Sequence, residues 1–311
     1  MKAFIFPGQG CQKEGMGKDL YENFKEARNL FEQANDILGR RITDIMFTGS
    51  EDELLQTINT QPAVFLYEVA LAKAQKEIIP DVVAGHSLGE FAALVINGSI
   101  SFEDGLNLVL HRAIIGQKAC DKVKSSMGAV IGLPDEYIAK RIQEIWDETG
   151  EPIYFANHNG PGQVVISGSK NGVRTACKIF LNEGAKKAVL LPISGSFHTP
   201  YMAEAREELG IYIRATKFHE PICPIYQCVD ALPHSDPHKI QENLIDHITH
   251  SVLWTDMVNN MVKDGISDFY EVGTDDTLEK IVRRMYPTLH QQSLLDIPTY
   301  IGKIHNYKIT K

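Results

Sequence analysis

The sequence predicts an α/β protein in which a small ferredoxin-like unit is inserted into a larger strand-and-helix domain. Three observations carry this. Short apolar runs bounded by glycine or proline alternate with segments of helical periodicity along most of the chain. Asp81-Val-Val-Ala-Gly85, then His86-Ser87-Leu88-Gly89, then a helix opening at Glu90 give strand, tight turn and helix in succession. Residues 127–193 follow a β-α-β-β-α-β order, which can bury a small core of its own. The expected division is therefore 1–126 with 194–311 as the large subdomain and 127–193 as the insert.

Taken in order, Ala3 to Phe6 is a buried strand stopped by Pro7-Gly8. Leu20, Phe24, Ala27, Leu30, Phe31, Ala34 and Leu38 recur at helical spacing and predict one amphipathic helix. Val64 to Gln75 predicts another. Within the insert, Gly128 to Leu133 is a strand and Asp135 to Glu148 a helix. Ile153 to Asn157 and Gln163 to Gly168 are strands around a Gly-Pro-Gly turn. Asn171 to Asn182 is a helix with Gly184 just past its end, and Ala188 to Ile193 closes the unit. Asp268 to Val272 is a late strand, and from about Pro298 the chain reads as a loosely specified tail.

The formal charge of −9 argues against a general nucleic-acid or anionic-membrane binder. Five cysteines, Cys11, Cys120, Cys177, Cys223 and Cys228, form an odd set without a C-x-x-C pair, which reads as reduced thiols. The apolar start is too short for a signal-peptide core, and no apolar run reaches the roughly 18 residues of a membrane span. The expectation is a soluble cytoplasmic protein. His247 with His250, and His234 with His238, are the nearest approach to metal-ligand spacing. The second pair sits among prolines, and no H-E-x-x-H or Cys/His cluster occurs, so no metal is expected.

Gly85-His-Ser-Leu-Gly89 matches G-x-S-x-G. Its glycines permit a sharp turn that exposes the Ser87 hydroxyl at a helix N-terminus, where a backbone N–H can stabilise an oxyanion. A serine hydroxyl needs a base. Among 11 histidines, His198 lies where the chain re-enters the large domain, although position alone leaves the others open. Gly8-Gln-Gly-Cys-Gln12 ends the first strand, and Gln9 there is either a donor to an oxyanion or part of a polar turn.

F-P-G-Q-G-x-Q at Phe6 to Gln12, G-H-S-L-G-E-F at Gly85 to Phe91, Arg112, N-x-P-x-Q-V-V-I-S-G at Asn159 to Gly168, and Phe197-His198 together resemble the malonyl-CoA:acyl carrier protein transacylases. The resemblance runs to about residue 286. It implies an α/β-hydrolase-like large subdomain with a parallel sheet core, and a ferredoxin-like insert. It implies Ser87 as nucleophile, His198 as general base and acid, and the backbone N–H groups of Gln9 and Leu88 as oxyanion hole. The base would be oriented by a main-chain carbonyl at His250, where asparagine is usual. Arg112 would take the malonyl carboxylate, a match of charge and shape. Phe197 would leave little room for an α-methyl group, and Asn159 and Gln163 would line the cleft, either binding substrate or shaping the turn. Gly116 stands where the family has Met, which implies a looser acyl pocket. Ala113 and Cys11 replace family Gly and Ser, and Gly273-Thr-Asp-Asp276 replaces a Gly-Pro-Gly-like turn.

The partners so implied are malonyl-CoA and an acidic acyl carrier protein bearing phosphopantetheine, with no resident cofactor and a monomeric enzyme. Lys186-Lys187 and Lys280, Arg283 and Arg284 are candidate docking cations, or simply solvated helix faces. A hydrolase or thioesterase using the same serine is the main rival, for which Asp121 or Glu183 would be the acid. A non-catalytic docking module is the second.

Overall fold

In the computed structural model, which describes residues 1–296, two sheets share the chain. The larger has six strands, in the order His290–Ser293, Asp268–Glu271, Lys2–Phe6, Val82–Gly85, Ile225–Tyr226, Pro233–His234. The first five run parallel, and the short edge strand Pro233–His234 pairs antiparallel. A parallel strand is buried on both faces, so its residues divide between two cores. Phe4, Phe6 and Val83 enter the core beneath helices Thr57–Ala74 and Gly89–Ile96. Ala3, Ile5, Val82 and Ala84 enter the opposite core with Trp254 and Phe269. The short apolar strands thus read correctly from composition. His290–Ser293, which is polar and partly exposed, offers no such signal.

The second sheet is antiparallel, ordered Ile153–Gly160, Gln163–Ser169, Ser125–Ile131, Lys187–Ser194. Helices Asp135–Thr149 and Lys170–Asn182 cover one face over a separate core that includes Val130, Ile142, Ile166 and Phe180. The other face carries Met127 and Val165 toward the large subdomain.

One helix predicted from periodicity is two. The chain is extended at Phe24 and separates Lys18–Asn23 from Lys25–Leu38. The Arg28 guanidinium donates to the Tyr21 and Glu22 carbonyls, satisfying acceptors the break exposes. The apolar stripe survives because Leu20, Phe24, Ala27 and Phe31 all stay buried across it. The helix expected at Val64 starts earlier, at Thr57, and carries Pro62 within it. The tail expected from Pro298 lies outside the described residues.

Candidate active site

The sheet brings the C-terminal ends of three parallel strands together, the usual place for a site in an open α/β sheet. Lys2–Phe6 delivers Pro7-Gly8-Gln9, Val82–Gly85 delivers Ser87, and Asp268–Glu271 delivers Gly273 to Asp276. The turn at Ser87 is tight enough to dictate glycine on both sides. A Cβ at Gly85 would lie 2.1 Å from the Glu90 amide nitrogen, and one at Gly89 would lie 2.2 Å from the Phe6 carbonyl oxygen. Ser87 itself sits at φ 53°, the left-handed conformation of a nucleophile elbow. The loop after the first strand is held from the other side: Thr274 Oγ1 donates to the Cys11 carbonyl, and Gly273 packs against Pro7.

The Ser87 hydroxyl donates to His198 Nε2 across 2.7 Å. His198 Nδ1 faces two carbonyl oxygens, that of His250 at 3.0 Å and that of His247 at 3.1 Å. A carbonyl can only accept, so the proton resides on Nδ1 and leaves Nε2 free to take the serine proton. The resemblance implied the His250 carbonyl alone. His247 is a second orienting carbonyl that the motifs did not reveal. Asp121 instead accepts from Gln117, and Glu183 accepts from Arg141 and Tyr137. Neither acid named for the hydrolase rival is bonded to the His198 ring.

His198 also has left-handed backbone, φ 61°, held by its own N–H donating to the Ile248 carbonyl. Buried hydroxyls brace this loop: Ser196 bonds Ser167 at 2.8 Å and Thr199 at 3.0 Å. The segment carrying the two carbonyls is tied to the small subdomain, since the Val252 N–H donates to the Ala156 carbonyl and His158 N–H to the Val252 carbonyl. Burial and the Arg112 charge push the His198 imidazole down to about 3. The base is therefore neutral, as a proton acceptor must be.

Arg112 lies on helix Phe102–Lys122 and is only 2% exposed. Its Cζ stands 5.5 Å from the Phe197 ring centroid and 5.9 Å from that of Phe91, so the guanidinium is held between two aromatic faces. Nη2 donates to Ser87 Oγ at 3.2 Å, while Nε has no partner among the described residues. Among the described residues no carboxylate pairs with it. Burial lowers its pKa to about 10, which still leaves it cationic. A buried, unpaired guanidinium is costly for a fold to maintain, and it is the natural receptor for a carboxylate.

The cleft between the subdomains has a volume of about 310 Å³ and is lined by Gln9, Ser87, Arg112, Phe197 and His198 on one side and by Asn159 and Gln163 on the other. The amides of Gln9 and Leu88 make no hydrogen bond within the described residues, which leaves both available to an oxyanion. The Gln9 side chain is fixed by accepting from buried Gln61. Asn159 Oδ1 bonds His86 Nε2 at 2.7 Å, so this side chain braces the elbow. Gln163 accepts from Arg284 at the rim.

Glu90, the residue after the motif glycine, is a site component whose part could not be read in advance. It is fully buried and accepts from the Gln227 side chain and the Cys228 amide, each at 3.0 Å, which locks the elbow helix to the neighbouring strand end. Glu90, Cys228 and His247 bring three donor atoms within 4.8 Å of one another. However, Glu90 and Cys228 already have protein partners, and the nearby Arg112 charge opposes a cation there. This donor set does not fit a metal.

The acyl transferase domain family matches residues 3–306. The malonyl CoA-acyl carrier protein transacylase of Bacillus subtilis strain 168 is 35% identical over 96% of this chain and 94% of that relative. This chain belongs to the malonyl-CoA:acyl carrier protein transacylase family. A second protein of the same strain, a polyketide biosynthesis malonyl CoA-acyl carrier protein transacylase, is 38% identical over 92% of this chain and 97% of its own length. The chain also superposes with a TM-score of 0.92, at 32% identity, on a malonyl-transacylase solved in complex with a type II PKS acyl-carrier protein. That superposition covers 98% of this chain and 99% of the other, so both subdomains belong to the transacylase fold. Among the described residues, no helix of this transacylase is long and apolar enough to cross a membrane.

Proposed function

We propose that this chain transfers a malonyl group from malonyl-CoA to the phosphopantetheine thiol of an acyl carrier protein, in fatty-acid or polyketide synthesis, through a malonyl-Ser87 intermediate. One observation carries the reading: a buried guanidinium with no carboxylate partner among the described residues lies 3.2 Å from the oxygen of a serine already paired with a neutral histidine. Ser87 Oγ attacks the thioester carbonyl as His198 Nε2 removes its proton. The Gln9 and Leu88 amides hold the tetrahedral oxyanion, a donor of this kind being worth about 3–4 kcal/mol. His198 returns the proton to the departing coenzyme A sulfur. Arg112 keeps the malonyl carboxylate while the carrier thiol, deprotonated by His198, attacks the acyl-serine and releases Ser87. Coenzyme A and phosphopantetheine enter with the substrates, and no resident cofactor is needed. A cytoplasmic monomer suits this exchange, and the five free cysteines fit a reducing compartment.

Brief exposure to malonyl-CoA followed by intact-protein mass spectrometry tests the reading. Wild type should gain one malonyl group and Ser87→Ala none. Free malonate accumulating without an adduct would replace the transferase by a hydrolase.

The carrier is expected to dock at the rim formed by helix Thr277–Met285. Arg284 there already contacts Gln163, and Arg283 is exposed although ion-paired to Glu279. Reversing both charges, Arg283→Glu with Arg284→Glu, should raise the KM for carrier about tenfold and leave the KM for malonyl-CoA alone. Equal change in both constants would remove this surface from the docking account.

A further inference from the structure

We infer that Thr274 is a positioning residue for the oxyanion hole, holding the Gln9 amide in place through the Cys11 carbonyl; this rests on the reading of that amide given above. Among the described residues, Pro7 to Gln12 make no backbone–backbone hydrogen bond. Packing and side chains must therefore hold the loop. Upstream of Gln9, packing suffices. A Cβ at Gly8 would lie 2.7 Å from the His86 carbonyl oxygen, and one at Gly273 would lie 2.5 Å from Pro7 Cγ. Pro7 and Gly8 are thus wedged between the elbow and the loop that follows Asp268–Glu271. Downstream, the chain turns through Gly10 at φ 118°, a conformation open to glycine and costly for other residues. A Cβ there would meet nothing within 4 Å, so packing does not hold this side. The Gly10 N–H donates to Gln12 Oε1 at 2.7 Å, a bond within the loop, and Gln61 reaches only the Gln9 side chain, at 3.4 Å. Among the described residues, the one hydrogen bond from outside the loop to its main chain runs from the Thr274 hydroxyl to the Cys11 carbonyl.

Thr274 is itself fixed. It is buried, its carbonyl accepts from Lys13 Nζ, and the helix that follows is pinned where the Glu279 N–H donates to Glu271 Oε2 at 2.7 Å. Gly273-Thr-Asp-Asp276 stands where the family has a Gly-Pro-Gly-like turn, and a proline could not donate this bond. Thr274 is not among the residues lining the cleft, so it acts on the reaction through the loop. Without its hydroxyl the Cys11 carbonyl is left buried with no donor, a state that favours movement of the loop toward water. Gly10 permits that movement, and the Gln9 amide leaves the oxyanion position with it. The oxyanion exists in the transition state and not in the bound thioester, so the loss falls on rate rather than on substrate binding.

The test is single-turnover loading of Ser87 from malonyl-CoA and from acetyl-CoA by wild type, Thr274→Val and Thr274→Ser, well below the thermal midpoint of each. Removing an oxyanion donor outright lowers kcat by about 100- to 1000-fold, so displacing one in Thr274→Val should slow saturated loading by roughly ten- to a hundredfold. The half-saturating thioester concentration should stay within about twofold of wild type. Both thioesters should be slowed by the same factor, because the oxyanion forms whatever acyl group is carried. Thr274→Ser keeps the donor and should load within about threefold of wild type. Destabilisation alone would lower the amplitude of loading rather than its rate constant. A rate constant in Thr274→Val within about twofold of wild type would overturn the inference. So would unequal slowing of the two thioesters, a loss confined to half-saturation, or an equal loss in Thr274→Ser. If Thr274→Val does not fold, Thr274→Ala is read by the same criteria. A wild type that loads no malonyl group would instead defeat the transferase reading itself.

Discussion

Arg112→Ala lowers kcat/KM for malonyl-CoA loading by about a hundred- to a thousandfold, while loading from acetyl-CoA is retained or improved. The magnitude follows from the loss of one partner from a buried, hydrogen-bonded charge pair, which typically costs about 3–5 kcal/mol. The malonyl carboxylate would have to be desolvated beside Phe91 and Phe197 with no counter-charge. A neutral acetyl group makes no such demand. Arg112→Lys should recover little, because a compact ammonium neither fills the gap between two rings nor offers a planar fork. Competition between the two thioesters, read as the mass of the acyl-enzyme, checks both statements. Malonyl loading within tenfold of wild type in Arg112→Ala would place the carboxylate elsewhere.

The parts of this site that were legible in the sequence are those where backbone geometry leaves few residues to choose from. Gly85 and Gly89 are forced by contacts near 2 Å, so the elbow writes itself as G-x-S-x-G. Strands such as Ala3 to Phe6 are buried on both faces and read as continuous apolar runs. The break at Phe24 was hidden because the apolar stripe passes through it unchanged, and periodicity reports the stripe rather than the hydrogen bonds. Helix Thr57–Ala74 was read short because its polar first turns, containing Pro62, look like loop. His247 was missed because its contribution is a carbonyl oxygen, which any residue has. The close packing of the Phe197 ring against Gly116, where an added Cβ would lie 3.0 Å from the ring, could not be foreseen, since it joins residues far apart in the chain and depends on a side chain that is absent. Glu90 stood inside the motif, but only the fold shows that it bonds Gln227 and Cys228.

His198→Ala should slow malonyl-serine formation by about a thousand- to ten-thousandfold, the upper range for a general base that also serves as acid. The wild-type pH dependence is the more discriminating measurement. Burial first, then the Arg112 and His86 charges, hold the His198 pKa down near 3. The base is thus unprotonated throughout the range in which an exposed histidine would titrate. Malonyl-CoA loading should stay flat from pH 8 to about pH 5, with no inflection near 6.5, as long as the protein remains folded. In Arg112→Leu one repelling charge is gone and the acid limb should move up toward neutrality. An unshifted wild-type limb at 6.5 would mean that the base is solvated during turnover. The same depression has a consequence for folding. A group whose folded pKa lies below its unfolded value contributes stability that is whole above the unfolded pKa and is lost as pH falls through the folded one. His86, His198 and His247 are all depressed by burial, so stability should decline progressively as pH drops below about 6.5. Glu90 and Glu271, raised by burial to about 7 and about 8, act in the opposite sense and lose their contribution as pH rises from the usual carboxyl range through those values. Urea midpoints for His198→Ala should therefore fall less steeply than wild type on the acid side and match its slope above pH 7. The chemistry and the fold are linked here by one physical cause: the dry setting that keeps His198 ready to accept a proton from Ser87 is also what makes its protonation unfold the site.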